Sequence, residues 1–151
     1  MPLYRGNRLR RGRYSEAGRF YLLTTVTAGR VPLFADFFLG RVLVQEMRLA
    51  EEQTLLRSLC WVVMPDHLHW LIELDGESLE RVMQQVKSRS AKQINQRRGI
   101  VGDVWQKGFH DHALRHEEDV LDIARYVVAN PLRAGLVERV GDYPLWDAVW
   151  L

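Results

Sequence analysis

Apolar residues follow two rhythms along this chain. Where they crowd together or alternate at period two they predict strands; where they recur near every 3.6 residues they predict helices. Residues 20–28, FYLLTTVTA, are aromatic and β-branched and predict a first strand. Residues 36–52 predict a helix, with Asp36 as its cap and Phe38, Val42 and Leu49 on one face. Residues 55–64 and 67–74 predict two strands joined at Met64-Pro65-Asp66, where Pro fixes φ and Asp can bond back to its own backbone. Ser78 is placed to cap a long helix over 79–97, with an apolar stripe of Leu79, Val82, Met83, Val86 and Ile94, and Gly99 ends it. Residues 104–114, VWQKGFHDHAL, predict a fourth strand. The acids Glu117, Glu118 and Asp119 suit the first turn of a last helix, because the dipole there favours negative charge. That helix carries VLDIARYVVAN and stops at Pro131. The tail is turn-rich and is expected to pack through Leu136, Val137 and Trp146.

The resulting order is βαββαβ followed by one more helix. The expected fold is α+β: a ferredoxin-like antiparallel sheet with helices on one face, plus a C-terminal tyrosine-bearing helix. The chain contains no internal repeat, low-complexity stretch or linker, so residues 1–151 are expected to form one domain. Within it, 1–19 is a basic arm, 117–130 the last helix and 131–151 the tail. Such a sheet is a frequent platform for nucleic acid, but a fold alone decides nothing about function.

Composition narrows the classes. With 151 residues and 47% of them hydrophobic, the chain can bury a real core. No apolar run approaches the roughly 20 residues a membrane helix needs. The N-terminus is arginine-rich where a signal peptide would be apolar, so a soluble cytoplasmic protein is expected. Cys60 is the only cysteine, which excludes an intrachain disulfide and a cysteine-based zinc site. The net charge is only +2, but the cations are gathered. Arg5, Arg8, Arg10, Arg11, Arg13 and Arg19 face the single acid Glu16, and a second basic stretch runs from Arg81 to Arg98. Two local excesses in a nearly neutral chain point to a polyanionic partner. A solvated arm and a solvated helix face would give the same pattern.

Candidate chemistry begins with VVMPDHLHWLIEL, residues 62–74. His67 and His69 lie two apart in a predicted strand, so their imidazoles point to one face and can share a divalent metal. The alternative is a half-exposed pair bonded to water. His110 and His112 repeat the spacing in FHDH; they could line the same face, form a rival site or sit near nucleic acid. Asp111 between them is ill suited to an unpaired core position, whereas Leu68 suits burial, so the first pair is preferred. Glu73 shares the His67 face by period two and could assist a metal or simply face solvent. Tyr126 and Asn130 are four apart on the last predicted helix and so share a face. A tyrosine hydroxyl beside a metal can attack a phosphate, and Asn130 can lend the metal its carbonyl oxygen. The alternative is a helix aromatic in the core and an Asn that merely ends the helix.

These segments, taken in order, resemble a known family. VVMPDHLHWLIEL is similar to the segment carrying the His-hydrophobic-His motif of single-tyrosine, single-strand DNA transposases. ARYVVANPLRAGLV is similar to the part of that class holding the nucleophilic tyrosine, and VWQKGFHDHAL and RLRRGRYSEAGRFYLLTTVT resemble its REP-associated tyrosine transposases. The resemblance covers nearly the whole chain. It implies that His67, His69 and Asn130 hold Mg²⁺ or Mn²⁺. Tyr126 would cleave single-stranded DNA beside a REP-type hairpin, leaving a 5′-phosphotyrosine link and a free 3′-hydroxyl. Arg8, Arg10, Arg11 and Arg13 would then reach DNA beside the stem, and Arg89, Lys92 and Lys107 would follow its backbone. The domesticated group implies a monomer; mobile relatives are dimers that exchange the tyrosine between subunits. Asp66 stands where relatives often have Asn. Two other readings stay open: a non-catalytic hairpin-binding protein, and a metal-dependent hydrolase using His67, His69, His110 and His112.

Overall fold

The computed structural model describes residues 19–53, 56–74, 76–115 and 118–150. The arginine arm, Arg8, Arg10, Arg11 and Arg13, lies outside the described residues. The chain runs β1 (Arg19–Val26), α1 (Phe37–Gln53), β2 (Leu56–Met64), β3 (His67–Leu74), α2 (Leu79–Arg98), β4 (His110–Ala113), α3 (Glu118–Val128), α4 (Asn130–Arg133) and β5 (Trp146–Ala148). The strands form one antiparallel sheet in the order β4-β1-β3-β2-β5.

Local chemistry sets the helix ends. Asp36 Oδ1 accepts from Phe38 N at 2.9 Å and from Leu39 N at 3.4 Å, which caps α1. Ser78 Oγ accepts from Arg81 N at 3.0 Å and caps α2. Gly99 ends α2 in the left-handed region at φ 67, a conformation glycine reaches without steric cost.

The sheet is buried on both sides: α1 and α2 share one face, as expected, and the additional last helix, whose side the sequence left open, covers the other. Leu68, Trp70, Ile72 and Leu74 of β3 join Leu23, Trp61 and Val63 beneath α1 and α2. Leu71 joins Cys60, Val62 and Met64 on the opposite face, where Val120, Ala124 and Val127 of α3 cover them. A bulge between Ser58 and Cys60 helps. Its extra residue, Leu59, joins Cys60 on the α3 face, while Ser58 Oγ accepts from Trp70 Nε1 at 2.8 Å.

Three other elements differ from expectation. The fourth strand holds only His110–Ala113. Val104 and Trp105 are apolar because they fill the α1–α2 core, with Trp105 Nε1 donating to Ser90 Oγ at 3.0 Å, and Gly108 at φ 74 breaks the strand path behind them. The last helix ends at Val128, and a separate turn of helix starts at Asn130 with Pro131 in its first turn, where a missing N–H costs nothing. The tail is anchored by Leu145, 2% exposed, while Leu136 is 46% exposed. Trp146 packs on the α3 side as expected. Around Leu145 the tail covers the β2 edge: Leu145 O accepts from Val63 N at 2.9 Å and Tyr143 Oη donates to Val63 O at 2.6 Å.

A Cβ on Gly40 of α1 would overlap the side chain of Leu145, so glycine there makes room for the tail. Overpacking costs about 1–3 kcal/mol, against a helix-propensity gain of about 1 kcal/mol for Gly→Ala. Gly40→Ala is therefore expected to destabilise the unaltered protein but to stabilise a Leu145→Ala background. Chemical denaturation of the two single variants and the double variant measures that change of sign.

Candidate active site

The alternation of β3 places His67 and His69 with Leu71, on the face that α3 covers. Their rings meet edge to face with centroids 4.8 Å apart. Each ring is held at Nδ1. His67 Nδ1 lies 2.7 Å from Asp66 Oδ1, and the other carboxylate oxygen, Oδ2, lies 3.2 Å from Arg30 Nε. Burial pushes the Asp66 carboxyl up, but the His67 bond and charge and the Arg30 guanidinium outweigh it and hold it below the usual carboxylate range. An ionised carboxylate can only accept, so His67 carries a proton on Nδ1, and Nε2 is the atom left for a metal when the ring is neutral. Arg30 itself sits at φ 53, in the left-handed region, next to Gly29 at φ 63. That strained turn brings its side chain to Asp66.

His69 Nδ1 lies 2.8 Å from Oγ1 of Thr24, its direct partner across the β1–β3 ladder. Burial, the His67 charge and then the Arg133 charge press its pKa down to about 3. Both imidazoles thus keep Nε2 for a ligand, with a second group orienting each ring, as metal-bound histidines require.

Tyr126 lies in the last turn of α3 and is half exposed. The break after Val128 leaves carbonyls at the helix end, and Arg133 of α4 caps one of them: its Nη2 donates to Tyr126 O at 2.7 Å. The same guanidinium stacks over the Tyr126 ring, 3.9 Å from the centroid. Arg133 is thus in contact with Tyr126 and close enough to His69 to act on its pKa. Asn130 stands between them in sequence, at the start of α4, and its Nδ2 is buried without a hydrogen-bond partner.

The donor set fits a divalent ion. It offers two imidazole nitrogens and, at Asn130, a buried amide whose unpartnered end can present oxygen after a half-turn about its last torsion. Among the described residues no three His, Cys, Asp or Glu side chains gather into a metal-sized group, so a four-histidine centre does not form. The reason is topological. His110 and His112 pair with Thr24 and Leu22, on the same face, but β1 separates them from β3. Asp111 faces the other way and is buried at 6% exposure, but with an interaction of its own, so it is not the unpaired core acid that the sequence argued against.

The remaining predicted cations divide. Arg89 Nε donates to Oε1 of the buried Glu46 carboxylate at 2.7 Å, and Gln93 contacts the other oxygen. Arg89 and Lys92 ride on α2, across the sheet from the histidines, so the structure does not bring them to this site. Lys107 is exposed in the segment leading to β4, beside the Gln106 and Gly108 carbonyls that Lys87 binds. Glu73 pairs with Arg57 at 3.2 Å. Sequence reasoning missed Thr24, Arg30 and Arg133. Only Arg133 had a local signal, a cation just past the proline that ends the tyrosine helix.

The structure thus presents an antiparallel sheet covered on both sides, with paired imidazoles on the face that the Tyr126-bearing helix covers. Residues 21–130 match the family described as Transposase IS200 like, and the chain belongs to that family. It is similar to the REP-associated tyrosine transposase of Escherichia coli K12, at 30% identity over 86 residues, 56% of this chain. The matched region spans about half of that relative's length, 49%. A solved structure of a REP-associated tyrosine transposase bound to a REP hairpin superposes with a TM-score of 0.73 and 25% identity, covering 97% of this chain and 82% of the other. A crystal structure from Deinococcus radiodurans R1 shares the fold, with a TM-score of 0.56 and 20% identity over 79% of this chain and 95% of that one.

The depressed pKa of His69 has a consequence for stability. The folded state binds a proton at His69 less readily than the unfolded state does, so its contribution is complete above about pH 6.5 and declines as pH falls toward about 3. Proton NMR of the metal-free protein should show the His69 ring neutral down to about pH 4. The His69→Gln variant should lose less stability than the parent over that acid range.

Proposed function

We propose that this chain is a structure-specific single-strand DNA endonuclease and strand transferase that acts beside a REP-type hairpin through a 5′-phosphotyrosine intermediate. The observation that carries the reading is the convergence of two oriented imidazoles and the Tyr126–Arg133 pair at one face of the sheet. The match to a hairpin-bound transposase over nearly the whole chain supports the choice of DNA.

In this reading His67, His69 and Asn130 hold Mg²⁺ or Mn²⁺. When bound, the ion supplies Lewis-acid polarisation of the scissile phosphate. Asp66 and Thr24 keep the two rings turned so that Nε2 is the free atom. Tyr126 is the nucleophile: its phenolic oxygen bonds to phosphorus as the bond to the 3′-oxygen breaks, and that oxygen leaves as a 3′-hydroxyl. Attack by another 3′-hydroxyl reverses the chemistry and joins strands, with the bond energy kept in the phosphotyrosine. Arg8, Arg10, Arg11, Arg13 and Lys107 contact the DNA beside the stem. The protein acts as a monomer, with Tyr126 serving the histidines of its own chain.

A labelled hairpin oligonucleotide with a single-stranded flank, incubated with Mg²⁺ or Mn²⁺, tests the reading. The expected result is a covalent protein–DNA adduct on a denaturing gel, lost in Tyr126→Phe. An adduct that survives Tyr126→Phe would sink the nucleophile assignment, and hairpin binding without any cleavage would leave a non-catalytic binding protein instead. Asp66→Ala should weaken Mn²⁺ binding about 10–100-fold, the usual cost of losing a group that orients a ligand. Calorimetry on metal-free protein reads that loss independently of cleavage.

A further inference from the structure

We propose that Arg133 is a catalytic residue that binds the scissile phosphate and holds Tyr126 for attack; this rests on the proposed nuclease reading. Three observations locate it. Its guanidinium carbon lies over the phenol ring, 3.9 Å from the centroid. Its Nη2 is anchored on the Tyr126 carbonyl at 2.7 Å. Tyr126 belongs to α3, the helix that covers the sheet face carrying His67 and His69.

The anchor uses one of five N–H donors. The rest of the fork, on an exposed side chain, is available to an anion, and a guanidinium fork matches two phosphate oxygens at once. The fold builds this position deliberately. Pro131 cannot continue α3, so the chain restarts as α4, and Gly135 at φ 74 turns it away again. The short α4 turn between them points one cation back at the tyrosine. A residue whose only task was to cap the Tyr126 carbonyl would have no need to stack on the ring as well.

During attack the phosphoryl group gains negative charge as the phenolic oxygen bonds to phosphorus and the 3′-oxygen departs. The phenol proton passes to solvent and the 3′-oxygen takes a proton from solvent. Arg133 neither gains nor loses a proton; it offsets charge that is larger in the transition state than in the bound substrate. Lysine could supply charge but neither a planar group to stack nor the fork.

The test is single-turnover cleavage of the flanked hairpin by the unaltered protein, Arg133→Ala and Arg133→Lys, with hairpin affinity measured in parallel. Arg133→Ala is expected to cleave on the order of 100-fold more slowly, the scale of one lost preorganised donor, at nearly unchanged affinity. Arg133→Lys should recover only a small part of the rate. A methylphosphonate at the scissile position removes the charge that Arg133 meets, so the penalty of Arg133→Ala should shrink there to within about threefold. A purely structural capping role predicts the same penalty on both substrates, and that outcome overturns the proposal. So does an Arg133→Ala variant that forms adduct as fast as the parent. Failure of the unaltered protein to form any adduct overturns the nuclease reading itself and the role of Arg133 with it.

Discussion

Leu68, Trp70 and Ile72 are fully buried beneath α1 and α2, and their burial decides which way His67 and His69 point. β3 is hydrogen-bonded on both sides, to β1 and to β2, so it cannot twist out of the plane to relieve a misfit. Slipping its register by one residue would turn three large apolar side chains out of the core, at about 1.5–3 kcal/mol each, and drive two imidazoles into it. The histidine face is therefore as well specified as the core. The strain at Arg30 is affordable because it sits at the end of this rigid strand pair, held by Thr27 N to Asp66 O at 2.9 Å.

The second face gives the site its other half. The β2 bulge puts Leu59 and Cys60 side by side toward α3, and Val120, Ala124 and Val127 settle on them. Burial pushes the Cys60 thiol up to about 12, so it stays protonated where it packs beneath α3. Because α3 docks through those three residues, Tyr126 is left at its margin rather than under it, half exposed and reachable.

Much of this was legible in the sequence where the deciding interaction is local. Asp36, Ser78 and Gly99 each act on a neighbouring backbone group, and the helix ends they predict are the ones found. Period two was enough to pair His67 with His69. What escaped depends on distant contacts. Val104 and Trp105 looked like the start of a continuous strand, but they reach the sheet only through the isolated bridge of Trp105 to Thr27, and their apolar character comes from filling the helix-side core. Arg89 looked like a free cation because its partner, Glu46, is on another helix. Leu145 could not be told from Leu136 without knowing that Gly40 leaves a space for it. That the last helix crosses to the histidine face, opposite the first two, is set by the path after β4 and by no single motif.

The break at Ala129 also changes how the tyrosine can move. Arg133 grips Tyr126 by its backbone carbonyl and by its ring, which closes residues 126–133 into a small loop sealed by a hydrogen bond. Such a loop swings as one piece about its ends. The phenol cannot leave on its own rotamer without losing the stack. A tyrosine tethered in this way moves with its segment rather than alone, so its direction is set by the backbone of residues 126–133.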